Sequence, residues 1–432
     1  MAAIKVIGAG LAGCEAALRL AGQGLEVELY EMRPLRMTPA HQTDLPAELV
    51  CSNSLKSTRL DTPAGLLKEE LRLLGSCLLP LAETCAVPSG HALAVDRTSF
   101  AFEVGKQIAE QPKIRLIRQE VTELPDSPCI LCTGPLTSDA MARELQRLLG
   151  VAQLSFFDAI APIVAADSLD PDKIYRKDRY DKGTGDYLNC PFTAEEYYRF
   201  VEALMTGEKH QALEFENEFF RDLDFSFYEN CTPIEELARR GRDTLRHGVM
   251  RPMGLENEGR KPFAVLQLRA ENLDGTAYNL VGCQTMLRQA EQQRIFRLIP
   301  GLKQAEFLRY GSIHRNSYLN SPQVLAPNLS LRVARNVFVA GQLSGVEGYM
   351  ECIATGLLTA RILTEAIDML PGETILGQLW RRLIDPIAED FQPINANFGL
   401  LPALKDPPRD KKLKKESLSR RSLEALQQYL GE

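Results

Sequence analysis

The chain has no apolar run approaching the roughly 18 residues that cross a bilayer, so no transmembrane helix is expected. It has no excess of positive charge. Fifty Lys and Arg stand against 57 Asp and Glu, and a net charge of −7 excludes a generally basic nucleic-acid coat. Its ten cysteines (14, 51, 77, 85, 129, 132, 190, 231, 283 and 352) are scattered in apolar segments and lack the spaced framework of a disulfide-stapled domain. With no signal peptide ahead of them, free thiols in a reducing cytoplasm are expected. Internal repeats and low-complexity tracts are also missing. What is present is ordinary globular composition, 45% hydrophobic and 25% charged, in 432 residues. That length points to two or three domains.

The N-terminus reads strand ("AAIKVI"), glycine turn ("GAGLAG"), helix ("CEAALRLAGQG"), strand ("EVELYE"). Gly8, Ala9, Gly10, Leu11, Ala12 and Gly13 therefore form G-x-G-x-x-G in a βαβ setting, with the acid Glu31 18 residues after Gly13. The first glycine makes the turn, and the second admits backbone to a pyrophosphate. The third lets helix and strand pack closely, and the acid accepts from a ribose. S-adenosylmethionine enzymes use a similar loop, so further signals must discriminate. "PCILCTGPL" (128–136) is a buried strand ending in Thr133 and Gly134. "NVFVAGQLSGVEGYMECIATGLLTA" (336–360) is again strand, glycine turn and helix, with Gly341 and Gly348 in the turn. Such a late helix aims its positive end at phosphates or at a flavin's pyrimidine edge. Together these segments predict an α/β, Rossmann-like two-dinucleotide FAD-binding fold divided between the two ends of the chain.

Between those ends, 186–309 carries its own signals. Thr193 and Glu196 form a capping box, and "KPFAVLQLRAENLDGTAYNLVGCQT" alternates as two strands around Asp274 and Gly275. The expected organisation is a first FAD-binding part over 1–185, an inserted α+β domain facing substrate over 186–309, and a second FAD-binding part over 310–432.

Cys129 and Cys132 form C-x-x-C, but no second pair stands at zinc spacing, and they are read as core. No metal site is expected. Cys51, in "ELVCSNSLKS", sits where an apolar stretch yields to a Ser-Asn-Ser turn, with Lys56 nearby. Alone it reads as a semi-buried loop cysteine or as a thiolate in a polar pocket. Cys231 precedes Thr232, Pro233 and Glu235, which read as N-cap, N1 and N3 of a helix. It is either a staple residue packed on that first turn or a thiol activated by the helix end. The stretch 405–421, "KDPPRDKKLKKESLSRR", has eight basic and three acidic residues. It reads as a solvated helix face or frayed tail, or, through Lys411, Lys412, Lys414 and Lys415, as a contact for nucleic-acid phosphates.

Several motifs occur together: "VIGAGLAGCEAA", "YEMRPLRMTPAH", "VCSNSL", "DYLNCP", "CTPIEELARRG", "KPFAVLQLR", "YGSIHRNSYLN" and "AGQLSGVEGYMECIATG". From residue 4 to about 400 the chain resembles the bacterial folate- and FAD-dependent tRNA (uracil-5-)-methyltransferases, the TrmFO or Gid family. The resemblance implies C5 methylation of the T-loop uridine of tRNA. Carbon would come from 5,10-methylenetetrahydrofolate, and electrons from NADH or NADPH through FAD. It also implies that Cys51 and Cys231 are the functional pair, and that His314 stacks the folate against the flavin. The chemistry needs such parts, because uracil C5 becomes nucleophilic only when a thiolate adds to C6. Cys231 is the expected nucleophile and Cys51 the base or its protecting partner, with exchanged roles as the alternative. Rival readings are a wobble-uridine flavoprotein, which would need a longer C-terminal region, and a non-catalytic flavin-binding RNA chaperone.

Overall fold

Ile4–Ile7 is the middle strand of a five-stranded, all-parallel sheet. In spatial order the strands are Val337–Val339, Cys129–Leu131, Ile4–Ile7, Val27–Glu31 and Ile114–Arg118. The computed structural model describes residues 3–38, 40–150, 153–159, 161–181, 184–209, 232–365, 367–386 and 391–431. After Ile4–Ile7 the chain continues to one neighbour, Val27–Glu31. The other neighbour, Cys129–Leu131, arrives about 120 residues later. This reversal of direction opens a crevice at the strands' carboxyl ends.

Small residues bring the helices close. The helix Leu11–Gly22 packs on the long helix Tyr349–Glu365, and a Cβ at Gly356 would collide with the backbone of Ala12. A Cβ at Gly13 would run into the Gly8 carbonyl, so that glycine is required by packing. Cys129 and Cys132 are buried in this core, as the sequence implies.

A second hydrophobic core lies under a six-stranded antiparallel sheet. Its order is Tyr175–Arg176, Tyr187–Phe192, Ala264–Ala270, Ala277–Leu280, Ile163–Ala165 and Phe307–Arg309. The helices Ala194–Thr206, Ile234–Arg239 and Gln289–Phe296 contribute Phe200, Ile234 and Phe296 to it. The capping box forms as expected: Thr193 accepts from the Glu196 N–H, and Glu196 accepts from the Thr193 N–H. Asp274 and Gly275 (φ 62°) lie in the turn between Ala264–Ala270 and Ala277–Leu280. The sheet starts earlier than the boundary at 186, because Ile163–Ala165 and Tyr175–Arg176 belong to it. Strands of three and two residues carry no readable periodicity. Their place comes from long-range pairing with Ala277–Leu280 and Tyr187–Phe192. The strands Gln153–Ala159 and Ile313–Leu319, paired antiparallel, carry the chain out of the first body and back.

The basic stretch is not frayed: Lys411, Lys412, Lys414 and Lys415 lie exposed on the first turns of a helix. Asp410 caps the helix Lys411–Leu430 by accepting from the Lys412 and Leu413 N–H groups, and Gly431 (φ 80°) ends it. Leu418, Ser419, Ser422 and Leu426 are its buried face. Among the described residues no helix is long and apolar enough to cross a membrane.

Candidate active site

The crevice holds a cleft of about 610 Å³. Gly8, Gly10, Leu11 and Ala12 line it from the first glycine turn, Thr133 and Gly134 from the second, and Gly341 and Gly348 from the third. Segments as far apart as Gly8 and Gly348, 340 positions in sequence, thus converge on one space. Gly8 (φ 102°) has no room for a side chain, since a Cβ would strike the Cys132 carbonyl. Gly10 and Gly134 differ: a Cβ on either meets no protein atom within 4 Å. Their bare backbones border open space, as the close approach of a pyrophosphate requires. Gly348 (φ 120°) has another reason to be glycine. A Cβ there would collide with the buried carboxylate of Glu351. That carboxylate accepts from Lys56 Nζ at 3.3 Å and from the Ala396 N–H at 3.0 Å.

Glu31 borders the cleft, with its acceptor capacity already in use. Its carboxylate takes the Ala9 N–H at 3.2 Å, the Arg33 N–H at 3.0 Å, and Arg33 Nε and Nη2 at 2.9 and 3.1 Å. Four bonds fill the lone pairs of one carboxylate. Burial works against its charge, but the Arg33 hydrogen bonds and charge hold its carboxyl below the ordinary range. Arg33, itself 2% exposed, also reaches Glu48 at 3.1 Å. A ribose hydroxyl at Glu31 therefore shares an oxygen with Arg33, a partner that spacing alone does not reveal.

Cys51 faces the same cleft, half-buried at the head of the loop leading into the strand Ser54–Ser57. Its surroundings come from distant segments. The Tyr349 hydroxyl, on the first turn of the late helix, lies 3.0 Å from Cys51 Sγ. It also accepts from the Cys51 and Ser52 N–H groups at 3.0 and 3.2 Å. Burial, and then the neighbouring Cys51, push the Tyr349 hydroxyl well above its ordinary pKa, so it keeps its proton. On the other side Arg269, from the antiparallel sheet, donates to Ser52 Oγ and Asn53 Oδ1, both at 2.8 Å. Arg97 donates to the Leu49 carbonyl at 2.8 Å and pairs with Glu271 at 2.6 Å. The Cys51 loop is therefore clamped between the two bodies. Sequence reasoning missed Tyr349, Arg269 and Arg97. An aromatic directly after Gly348 is the one local hint.

Cys231 lies outside the described residues, but the helix beyond it differs from expectation. It begins at Ile234 with Pro233 as N-cap, and no side chain caps it. The Ile234 N–H instead donates to the Gln284 carbonyl at 2.7 Å. Glu235 turns to the Met286 N–H at 2.6 Å and Thr285 Oγ1 at 3.0 Å. A long-range acceptor replaced the local cap, and the helix starts one residue later than the sequence implies. His314 falls on the strand Ile313–Leu319, paired in register with Asp158. Lys411, Lys412, Lys414 and Lys415 are exposed and outside the cleft, while Arg421 is engaged by the carbonyls of Pro402 and Ala403.

Glycine turns converging at the switch point of a parallel sheet define a protein of the Rossmann-like FAD-binding fold class. The structure of Aquifex aeolicus GidA in its form II crystal matches this fold with a TM-score of 0.70 at 15% identity, over 99% of this chain and 74% of that one. Residues 3–370 match the family model for glucose inhibited division protein A. The chain is 51% identical to the methylenetetrahydrofolate–tRNA-(uracil-5-)-methyltransferase TrmFO of Koribacter versatilis, over 98% of this chain and 96% of that relative. It is 47% identical to the protein of the same name from Bacillus subtilis, over 98% of each. The chain belongs to the TrmFO family.

Proposed function

We propose that this protein methylates C5 of the T-loop uridine in tRNA, taking the carbon from 5,10-methylenetetrahydrofolate. The observation that carries the reading is Cys51 facing the same cleft as the three glycine turns, in a chain about half identical to the relatives so named. FAD fits the cradle: Gly8, Gly10, Leu11 and Ala12 would hold its pyrophosphate, with Ala9 and Gly13 shaping the turn behind them, Glu31 its ribose, and Thr133, Gly134, Gly341 and Gly348 the remainder. When bound and reduced by NADH or NADPH, it supplies the two electrons that convert a transferred methylene into a methyl group, so tetrahydrofolate leaves unoxidised.

The chain's own residues do the rest. The Cys231 thiolate adds to uracil C6, and C5 bonds to the folate methylene as one of its two C–N bonds breaks. Cys51 then takes the C5 proton as the second C–N bond breaks and tetrahydrofolate leaves; with the carbon reduced to a methyl group, elimination returns the Cys231 thiolate. His314 positions the folate. Lys411, Lys412, Lys414 and Lys415 hold tRNA phosphates. Four lysines in the first two turns of a helix oppose its dipole, a placement that favours a polyanion-binding role over stabilisation. Lys412 and Lys415 are close enough to Asp61 to help hold its carboxyl below the usual range, after a larger effect from Arg59.

Incubation with unmodified tRNA, methylenetetrahydrofolate and NAD(P)H, followed by nucleoside analysis, tests the reading. 5-Methyluridine is expected with wild type and none with Cys231→Ala, which should still bind FAD. A 5-fluorouridine tRNA should trap a covalent adduct on wild type. An adduct that survives in Cys231→Ala but not in Cys51→Ala exchanges the two roles. A tRNA that binds without being methylated defeats the proposal.

A further inference from the structure

Gln284 is the single cleft-lining residue, among those described, that comes from the antiparallel-sheet body. The route to it is well anchored. Arg269 ties the strand Ala264–Ala270 to the Cys51 loop, and Asn279 of the neighbouring strand pairs in register with Arg269. From there the chain passes Gly282 (φ 79°), where a Cβ would collide with Val249, and reaches Gln284. The Gln284 carbonyl is committed to the Ile234 N–H at 2.7 Å, and Glu235 grips the next two residues. The backbone of 284–286 is therefore locked to the helix that follows Cys231. The Gln284 carboxamide, half-buried on the cleft wall, has no hydrogen-bond partner among the described residues. The neighbouring groups of this segment serve the structure, and this one side chain is left uncommitted where a substrate must enter.

We infer that Gln284 reads the imide edge of the target uracil, an inference that rests on the function proposed above. A carboxamide offers one acceptor and one donor group side by side. Uracil presents the complement, N3–H and O4, whereas cytosine reverses both. The donor has a second use. When a thiolate adds to C6, negative charge develops on O4, and an N–H donated to it is worth more in that state than in the ground state. Gln284 thus selects the base and favours the addition.

Steady-state kinetics of Gln284→Ala and of the isosteric Gln284→Glu test this, each with two tRNAs. One carries uridine and the other 3-methyluridine at the target. Both variants should lose on the order of 10²-fold in kcat/KM for uridine tRNA, the scale for losing one donor to a developing oxyanion. FAD content and the KM for methylenetetrahydrofolate should be unchanged. Wild type should reject 3-methyluridine strongly, and Gln284→Ala should lose most of that discrimination, because the two changes remove the same hydrogen bond. Full discrimination persisting in Gln284→Ala would overturn the inference, as would a defect confined to the folate KM. Wild type that forms no 5-methyluridine would overturn the underlying function and this inference with it.

Discussion

The Tyr349 hydroxyl lies 3.0 Å from the sulfur of Cys51 and accepts from the Cys51 and Ser52 N–H groups, joining loop and helix 298 positions apart. Tyr349→Phe removes that acceptor from two partly buried donors, a loss of about 1–3 kcal/mol for each donor left unpaired. FAD should stay bound, while the melting temperature falls by several degrees and methylation drops roughly tenfold or more, in line with ~1.4 kcal/mol per factor of ten. Calorimetry and nucleoside analysis check this, and a variant with wild-type rate and stability would show the hydroxyl to be dispensable.

Gly10 and Gly13 separate a cofactor requirement from a folding requirement. A side chain at Gly10 meets no protein atom, whereas one at Gly13 strikes the Gly8 carbonyl. Gly10→Val should fold and emerge colourless, with FAD affinity cut by on the order of a hundredfold or more as the pyrophosphate approach is blocked. Gly13→Val should instead lose stability, by about 1–3 kcal/mol or more from overpacking. Flavin absorbance and urea unfolding distinguish the two. A yellow Gly10→Val protein with wild-type FAD affinity contradicts the assignment.

The tail helix predicts a salt signature. Changing Lys411, Lys412, Lys414 and Lys415 together to Gln should raise the KM for tRNA and flatten its dependence on salt. The log–log slope should fall by roughly 0.7–0.9 for each phosphate that is no longer neutralised. NAD(P)H-driven flavin reduction without RNA should be unaltered. Identical tRNA affinity of variant and wild type across a salt series would return the lysines to a solvated surface.

Glu70 predicts a pH dependence of stability. Fully buried, it accepts from the Ile375 and Leu376 N–H groups at 2.8 and 2.9 Å and from Ser422 Oγ at 2.6 Å, tying the tail helix to the helix Ile375–Ile384. Burial pushes its carboxyl up to about 7, against the hydrogen bonds from Ser422, Leu376 and Ile375. Between the ordinary 4.5 and about 7 the folded protein holds a proton that the unfolded chain releases. Stability from this group is therefore full below that window and declines as pH rises through it, by up to ~1.4 kcal/mol per pH unit. Glu70→Gln should make the fall in denaturation midpoint from pH 5 to pH 7 shallower. A variant with the wild-type slope would exclude Glu70 as its source.

What the sequence determined by itself is local. The turns at Gly8, Gly10 and Gly13 are readable because a tight turn and a close backbone approach each require a missing Cβ within a few residues. The capping box at Thr193 and Glu196 is readable for the same reason, since donor and acceptor lie three positions apart. The cap expected at Thr232 failed where Gln284, 50 residues away from Ile234, offered its N–H a better-placed acceptor. Glu31 could be found from its spacing, but its neutralisation by a buried Arg33 could not, because side-chain pairing depends on how the following loop turns back. Likewise the ten cysteines are alike in one dimension. Only the packing of helix Tyr349–Glu365 against the first body, and of Arg269 across from the second, gives Cys51 a cleft to face and a hydroxyl beside its sulfur. Local backbone demands are written in neighbouring residues, whereas a reactive environment is assembled from groups hundreds of residues apart, and folding alone brings those together.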